Sequence, residues 1–310
     1  GLIRYLLGRT FYPDNAHTRD KDGNPIRPYD MTTDTMFEFM GVRVDPADEA
    51  IKGDLQKLTG PVQPVGKVGK GTFGYTFDGR LNDSFRALNH LLDRGVVVQR
   101  VDRAGDGLEA GDFIVASGPE AVLADVAKQR GVDFRPLNRD ANQVSREVKR
   151  LRIGMYQRYR GGNMDEGWTR WLLEQFGFPY TTLMDAEIKK GGLNEKYDVI
   201  LLPDDSTAMI TGERTAGPGR PAGATTPTIS GEIPGASGRP QETTPPEYRS
   251  GIGNEGVNAL KTFLEKGGIL VTLGGASNFA IERLGLSIRN VVANKSSKEF
   301  FCPGSTLKVR

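Results

Sequence analysis

The 310-residue sequence predicts an α/β protein in two lobes, the second built on a doubly wound, mostly parallel sheet. Three observations predict it. Short apolar runs alternate with helix-period stretches through the second half, the pattern of repeated βαβ units. The first half reads β-α-β-β-α. The length passes the roughly 250–300 residues at which one hydrophobic core stops growing. Apolar residues make up 37% of the chain, enough to fill two cores.

The first lobe is expected over 1–148. Residues 1–7 read as the middle of a helix with no capping residue ahead of it, so a further segment is expected upstream. Residues 13–29 are a polar loop, 35–42 a short helix, and 59–71 a Gly-, Pro- and Lys-rich loop. Order then returns with a strand at 74–77 and a helix at 82–94. Phe85, Leu88, Leu91 and Leu92 recur there at three-to-four spacing. Strands follow at 96–101 and 112–116, and a helix at 121–130.

The second lobe is expected over 150–310. A strand at 152–156 leads to a helix at 165–176, in which Trp168, Trp171, Leu172, Gln175 and Phe176 share one face. Gly177 closes that helix, with Pro179 just beyond. A short strand at 180–183 precedes the apolar run 197–203, which suits a buried parallel strand. The helix at 255–265 turns Val257, Leu260, Phe263 and Leu264 inward, and 269–273 is the next buried strand, ending in Gly274-Gly275. Residues 211–250 interrupt this lobe. Their seven Pro, seven Gly and seven Thr, with almost no large apolar residue before Tyr248, bury too little surface to offset the entropy of ordering.

Charge and residue counts exclude several functions. Forty-one Lys and Arg against 39 Asp and Glu leave a net charge of +2, which gives no electrostatic reason to expect a nucleic acid or an anionic membrane as partner. No run of about 18 apolar residues exists to span a bilayer. Cys302 is the only cysteine, which excludes an internal disulfide and a multi-cysteine metal site. His17 and His90 lie far apart, one expected in a solvated loop and the other at a helix surface, so a protein zinc site lacks ligands and no metal site is expected in this chain. The stretch 69–74 (GKGTFG) has the glycine spacing of a kinase phosphate loop, but no H-R-D or D-F-G follows and it precedes a strand, so it reads as a flexible basic loop. The calcium-loop opening at Asp20 fails because its twelfth position is Met31 rather than Glu.

The strand-end turn at 273–279 (LGGASNF) is the most informative position. Ligands of doubly wound sheets collect beyond the C-terminal strand ends. Class I glutamine amidotransferases place a nucleophilic Cys in such an elbow; here there is none, and Ser277 has no His in its lobe to serve as base. Ser277 therefore reads as the N-cap of the next helix. Asp204, Asp205 and Ser206 reach the same edge, and Asp165 and Glu166 begin the helix at 165–176, where carboxylates favour the macrodipole. No catalytic residue is assigned. A small-ligand site on this edge would draw on Asp165, Glu166, Asp204, Asp205 and Ser206. From the second half of the edge it would add Tyr248, Gly274, Gly275, Ser277 and Asn278.

Particular stretches carry a resemblance. Residues 164–174 (MDEGWTRWLLE), 197–204, 245–253 (PPEYRSGIG), 279–283 (FAIER) and 301–305 (FCPGS) resemble the carboxy-terminal region of bacterial zinc carboxypeptidase-like proteins. Residues 28–32 and 82–86 look similar to the segment that joins peptidase and terminal domain in that family. The resemblance implies a class I glutamine-amidotransferase-like second lobe appended to a carboxypeptidase A-like metallopeptidase. The family's zinc ligands and catalytic Glu belong to the amino-terminal peptidase domain, and no position here matches their H-x-x-E motif. What it implies is a non-catalytic accessory region, with zinc held by the peptidase domain. The implied partners are that domain and peptide substrate, in a secreted or periplasmic protein. The insertion at 211–244 departs from the family in length.

Overall fold

The computed structural model describes residues 6–8, 13–26, 37, 42–50, 52–105, 107–139, 145–159, 164–213 and 250–302. The chain forms two compact units, one of 1–60 with 290–310 and a larger one of 61–289. The expected helices at 1–7 and 35–42 fall almost wholly outside the described residues, and so does most of 211–250.

In the smaller unit Asn15 caps a 3-10 turn at Ala16–Thr18. The Asp20 carboxylate accepts the backbone N–H groups of Asp22 and Asn24 at 2.9 and 2.8 Å, and Lys298 Nζ donates to the Asp22 carbonyl at 2.7 Å. The apparent calcium loop is thus a turn that binds its own amides.

The larger unit contains two sheets. The first is antiparallel throughout, in the order β4-β1-β3-β2-β5. Its elements are β1 (Gly74–Phe77), α1 (Asn82–Asp93), β2 (Val98–Val101), β3 (Phe113–Ala116), α2 (Glu120–Arg130), β4 (Arg135–Leu137) and β5 (Ser145–Glu147). The first four strands and two helices make a split β-α-β arrangement, to which β5 adds an edge. The periodic residues of α1 behave as their spacing requires: Leu88 and Leu91 are buried, and Phe85 and Leu92 pack against the same core. Phe77, Phe113 and Phe134 form its centre, with ring centroids 5.0 and 5.1 Å apart. The glycine-rich stretch has a structural role. Gly69 N–H donates to the Phe134 carbonyl and Phe73 N–H to the Leu137 carbonyl, both at 2.9 Å, so the loop runs along β4. A Cβ on Gly71 would lie 1.9 Å from the Gly74 carbonyl oxygen, so only glycine fits there.

The second sheet is parallel, in the order β7-β6-β8-β9. Its elements are β6 (Ile153–Gln157), α3 (Met164–Gln175), β7 (Tyr180–Met184), α4 (Asp185–Lys190), α5 (Leu193–Lys196), β8 (Val199–Leu202), α6 (Thr207–Thr211), α7 (Gly253–Glu265), β9 (Ile269–Thr272) and α8 (Ala276–Arg283). In-register partners point to the same side, so Tyr156, Leu183, Ile200, Leu202 and Leu270 share one face. There they meet Ile188, Leu193, Ile210, Val257, Leu260, Phe263 and Phe279 from five helices. Leu264, expected inward, is only half-buried.

Two further features differ from the sequence reading. The shared face of α3 looks outward: Trp168 is 63% exposed and Trp171 52%, while the buried side chain is Glu166. Helix α8 begins at Ala276 with Gly275 as its N-cap, so Ser277 lies inside the helix instead of capping it. The physical reason is that the backbone is already turning there: the Ala276, Ser277 and Asn278 N–H groups donate to the Leu273, Gly274 and Gly275 carbonyls at 3.0–3.1 Å, so the helix begins ahead of Ser277.

The two sheets are joined through α1 and the C-terminal end of α3. Arg150, between β5 and β6, donates to Asn89 Oδ1, the Asn89 carbonyl and the Gly177 carbonyl at 2.8–2.9 Å and pairs with Asp93. Asn89 Nδ2 donates to the Phe176 carbonyl at 2.8 Å, and Arg86 Nε to that of Gln175 at 3.0 Å.

Candidate functional site

The parallel arrangement aligns all four strands, so their C-terminal ends gather one residue set at one edge. Behind β6 come Arg158 and Tyr159, behind β7 Asp185, behind β8 Asp204, Asp205 and Ser206, and behind β9 Gly274 and Gly275.

The best-buried centre is one that sequence reasoning missed. Asp185, 4% exposed, accepts the Tyr156 hydroxyl at 2.7 Å and the backbone N–H groups of Tyr159 and Gly251 at 3.2 and 3.0 Å. Burial, reinforced by the Asp185 and Asp205 charges, pushes the Tyr156 phenol far above its usual range, so it remains a donor. Beside it the Asp205 carboxylate lies 2.7 Å from Arg158 Nε, with only 5% and 16% of the two side chains exposed. Asp185 and Arg158 directly follow strands, and that position is the sequence signal that would have found them, whereas Asp205, three residues past β8, was among the expected residues.

Among the predicted residues, Asp204 comes into direct contact with the glycine turn. Its Oδ1 accepts the Gly275 N–H at 2.6 Å. Gly274 has φ +51°, and a Cβ there would lie 2.4 Å from the Asp204 carboxyl carbon. Ser206 caps α6 by accepting the Met209 N–H at 3.3 Å. Ser277 Oγ lies 3.3 Å from Thr272 Oγ1. Asn278 follows it in the first turn of α8, its N–H donating to the Gly275 carbonyl at 3.0 Å. Glu166 is drawn to the other side of the sheet: it pairs with Arg170, whose Nη1 donates to Thr182 Oγ1 at 2.9 Å and whose guanidinium lies 5.1 Å from the Tyr180 ring centre. Asp165 is exposed in the same first turn. Tyr248 lies outside the described residues.

The remaining motifs resolve locally. His17 is exposed in its 3-10 turn. His90 is half-buried instead of lying at the helix surface, and burial, with Arg94 and Arg130 nearby, holds its pKa below the usual histidine range. Among the described residues no three His, Cys, Asp or Glu side chains are grouped as metal ligands would be. No described helix is long and apolar enough to cross a membrane.

No protein-family model, no curated protein and no solved structure matches this chain.

Proposed function

We propose that this chain is a non-catalytic accessory region of a zinc-carboxypeptidase-like protein, the kind its sequence words resemble. One observation carries the non-catalytic half of the reading: the carboxylates at the sheet edge hold the chain's own groups. Asp185 binds a tyrosine and two amides, Asp204 binds the glycine turn and Asp205 binds Arg158. Such carboxylates rigidify the strand ends, whereas a general base must reach a substrate proton. The nucleophile position of the amidotransferase-like elbow holds Ser277, turned toward Thr272. The parallel strand order, with its reversal between β6 and β8, supports the doubly wound, amidotransferase-like reading of this half.

In this reading the parent protein performs proteolysis outside the cell or in the periplasm. The zinc belongs to a peptidase domain, which is the partner of this region and the part that meets peptide substrate. The described residues assemble no ligand set for zinc. The test is an assay of the purified chain, with added zinc, against peptides with free carboxy termini. No amino-acid release is expected, and sustained release abolished by a chelator overturns the reading.

A second reading is favoured by the Arg158–Asp205 pair, which sits where the strand order reverses and open α/β sheets receive ligands. A small charged ligand bound there would raise the unfolding temperature of the parent chain and leave that of Arg158→Ala unchanged. The absence of any such shift across a panel of amino acids and organic acids removes it.

A further inference from the structure

One face of the parallel sheet is left open along its β9 edge. The core cluster described above draws its helical residues from α4, α5, α6, α7 and α8, so those helices roof the face of Tyr156 and Ile200. The opposite face carries Ile153 and Met155, Tyr180 and Thr182, Val199 and Leu201, and Ile269, Val271 and Leu273, in register across the sheet. On that face Arg170 fixes α3 over β6 and β7, through Gln157, Thr182 and the Tyr180 ring. Over β9 the cover stops, and Ile269 is 52% and Val271 36% exposed. Parallel sheets bury both faces, so an open strip of this kind calls for a helix.

The same face also presents a helix whose apolar side is exposed. Met164, Trp168, Trp171 and Leu172 follow one stripe of α3 and are all about half exposed or more. The protein therefore displays a strip lacking a helix and a helix lacking a strip. A surface that holds both halves of one packing unit is complementary to a copy of itself, because a two-fold axis lays the helix of each on the strip of the other.

We propose that this face is a homodimer interface, with α3 of one copy seated along the open β9 edge of the other. Seven large apolar side chains form the centre of each half: Met164, Trp168, Trp171, Leu172, Ile269, Val271 and Leu273. A stable pair buries roughly 800 Å² per partner, so polar residues around this centre must join the contact.

The experiment is sedimentation velocity on the full chain from about 1 to about 100 µM, the upper part of the range over which interfaces of this size dissociate. A species of twice 33.8 kDa is expected to grow with concentration. Trp168 and Trp171 are the only two tryptophans, so their emission should shift to the blue in step with it. Trp168→Glu with Trp171→Glu, and separately Ile269→Lys, should each weaken self-association at least about tenfold. These positions are exposed, so the variants should keep the parent circular dichroism. Mixed together, the Glu and Lys variants should pair with each other more tightly than either pairs with itself. A chain that stays monomeric throughout overturns the proposal. So does a dimer indifferent to both variants, or a mixture in which pairing is not recovered.

Discussion

Asp185 illustrates how one buried carboxylate can organise a strand edge. Its two oxygens hold a tyrosine of β6, the backbone behind β6 and the backbone where the chain returns from residue 250. Asp185→Ala leaves three donors without an acceptor, so it should destabilise the protein by roughly 2–4 kcal/mol, read as a lower urea midpoint. His90 gives a pH dependence of known sign. Its folded pKa lies below the ordinary 6.5, chiefly through burial, so the unfolded chain takes up the proton first as pH falls. Stability should be complete above the unfolded pKa and decline as pH falls through the folded value. His90→Asn should flatten the difference in urea midpoint between about pH 7.5 and about pH 5. Neither role was legible in the sequence. A lone Asp after a short strand and a lone His on a helix take their meaning from residues 26 to 66 positions away, or from a second helix.

At the scale of elements, α1 and α3 show what periodicity does and does not determine. In α1 the apolar stripe is the buried stripe. In α3 an equally regular stripe faces outward, because Glu166 and Arg170 give the opposite side a specific attachment to Gln157, Thr182 and Tyr180. Pattern names a face, and the partners available in the fold choose which face is buried. The same is true of β4 and β5, which the sequence reading passed over. RPL and SRE carry no alternation and form only as edges of a sheet whose centre already exists. The link between the sheets is equally non-local: Arg150 reaches back 61 residues to Asn89 and forward 27 to Gly177. Arg150→Ala removes those bonds together and should cost roughly 2–3 kcal/mol, seen as a lower thermal midpoint and faster proteolysis between Glu147 and Ile153.

For the whole molecule, the long Pro-, Gly- and Thr-rich segment leaves and rejoins the larger unit at one narrow neck. Ile252 N–H donates to the Ile210 carbonyl at 2.9 Å, and a Cβ on Gly251 would lie 2.3 Å from the Gly212 Cα. Glu213 is paired with Arg283 of α8 and Gly251 is held by Asp185, so both sides of the neck are anchored independently. Replacing residues 214–249 by a short Gly/Ser linker should therefore change stability by less than about 1 kcal/mol, because loop-closure entropy varies slowly with length. A large loss of stability or of solubility in that variant would show that the segment packs on the fold.

By itself the sequence determined the longer helices and the central strands of the larger unit, the core faces of α1 and α7, and the edge at which polar strand-end residues gather. These follow from local periodicity and from the polar residues that end each apolar run. Only the tertiary structure decided what those residues do. It matched Asp204 to a glycine turn 71 residues away, Asp205 to Arg158 and Asp185 to Gly251, and it turned the tryptophans of α3 outward. The physical reason is range: hydrophobic periodicity acts within a few turns of chain, whereas a carboxylate's role depends on which donor the assembled sheet brings to it.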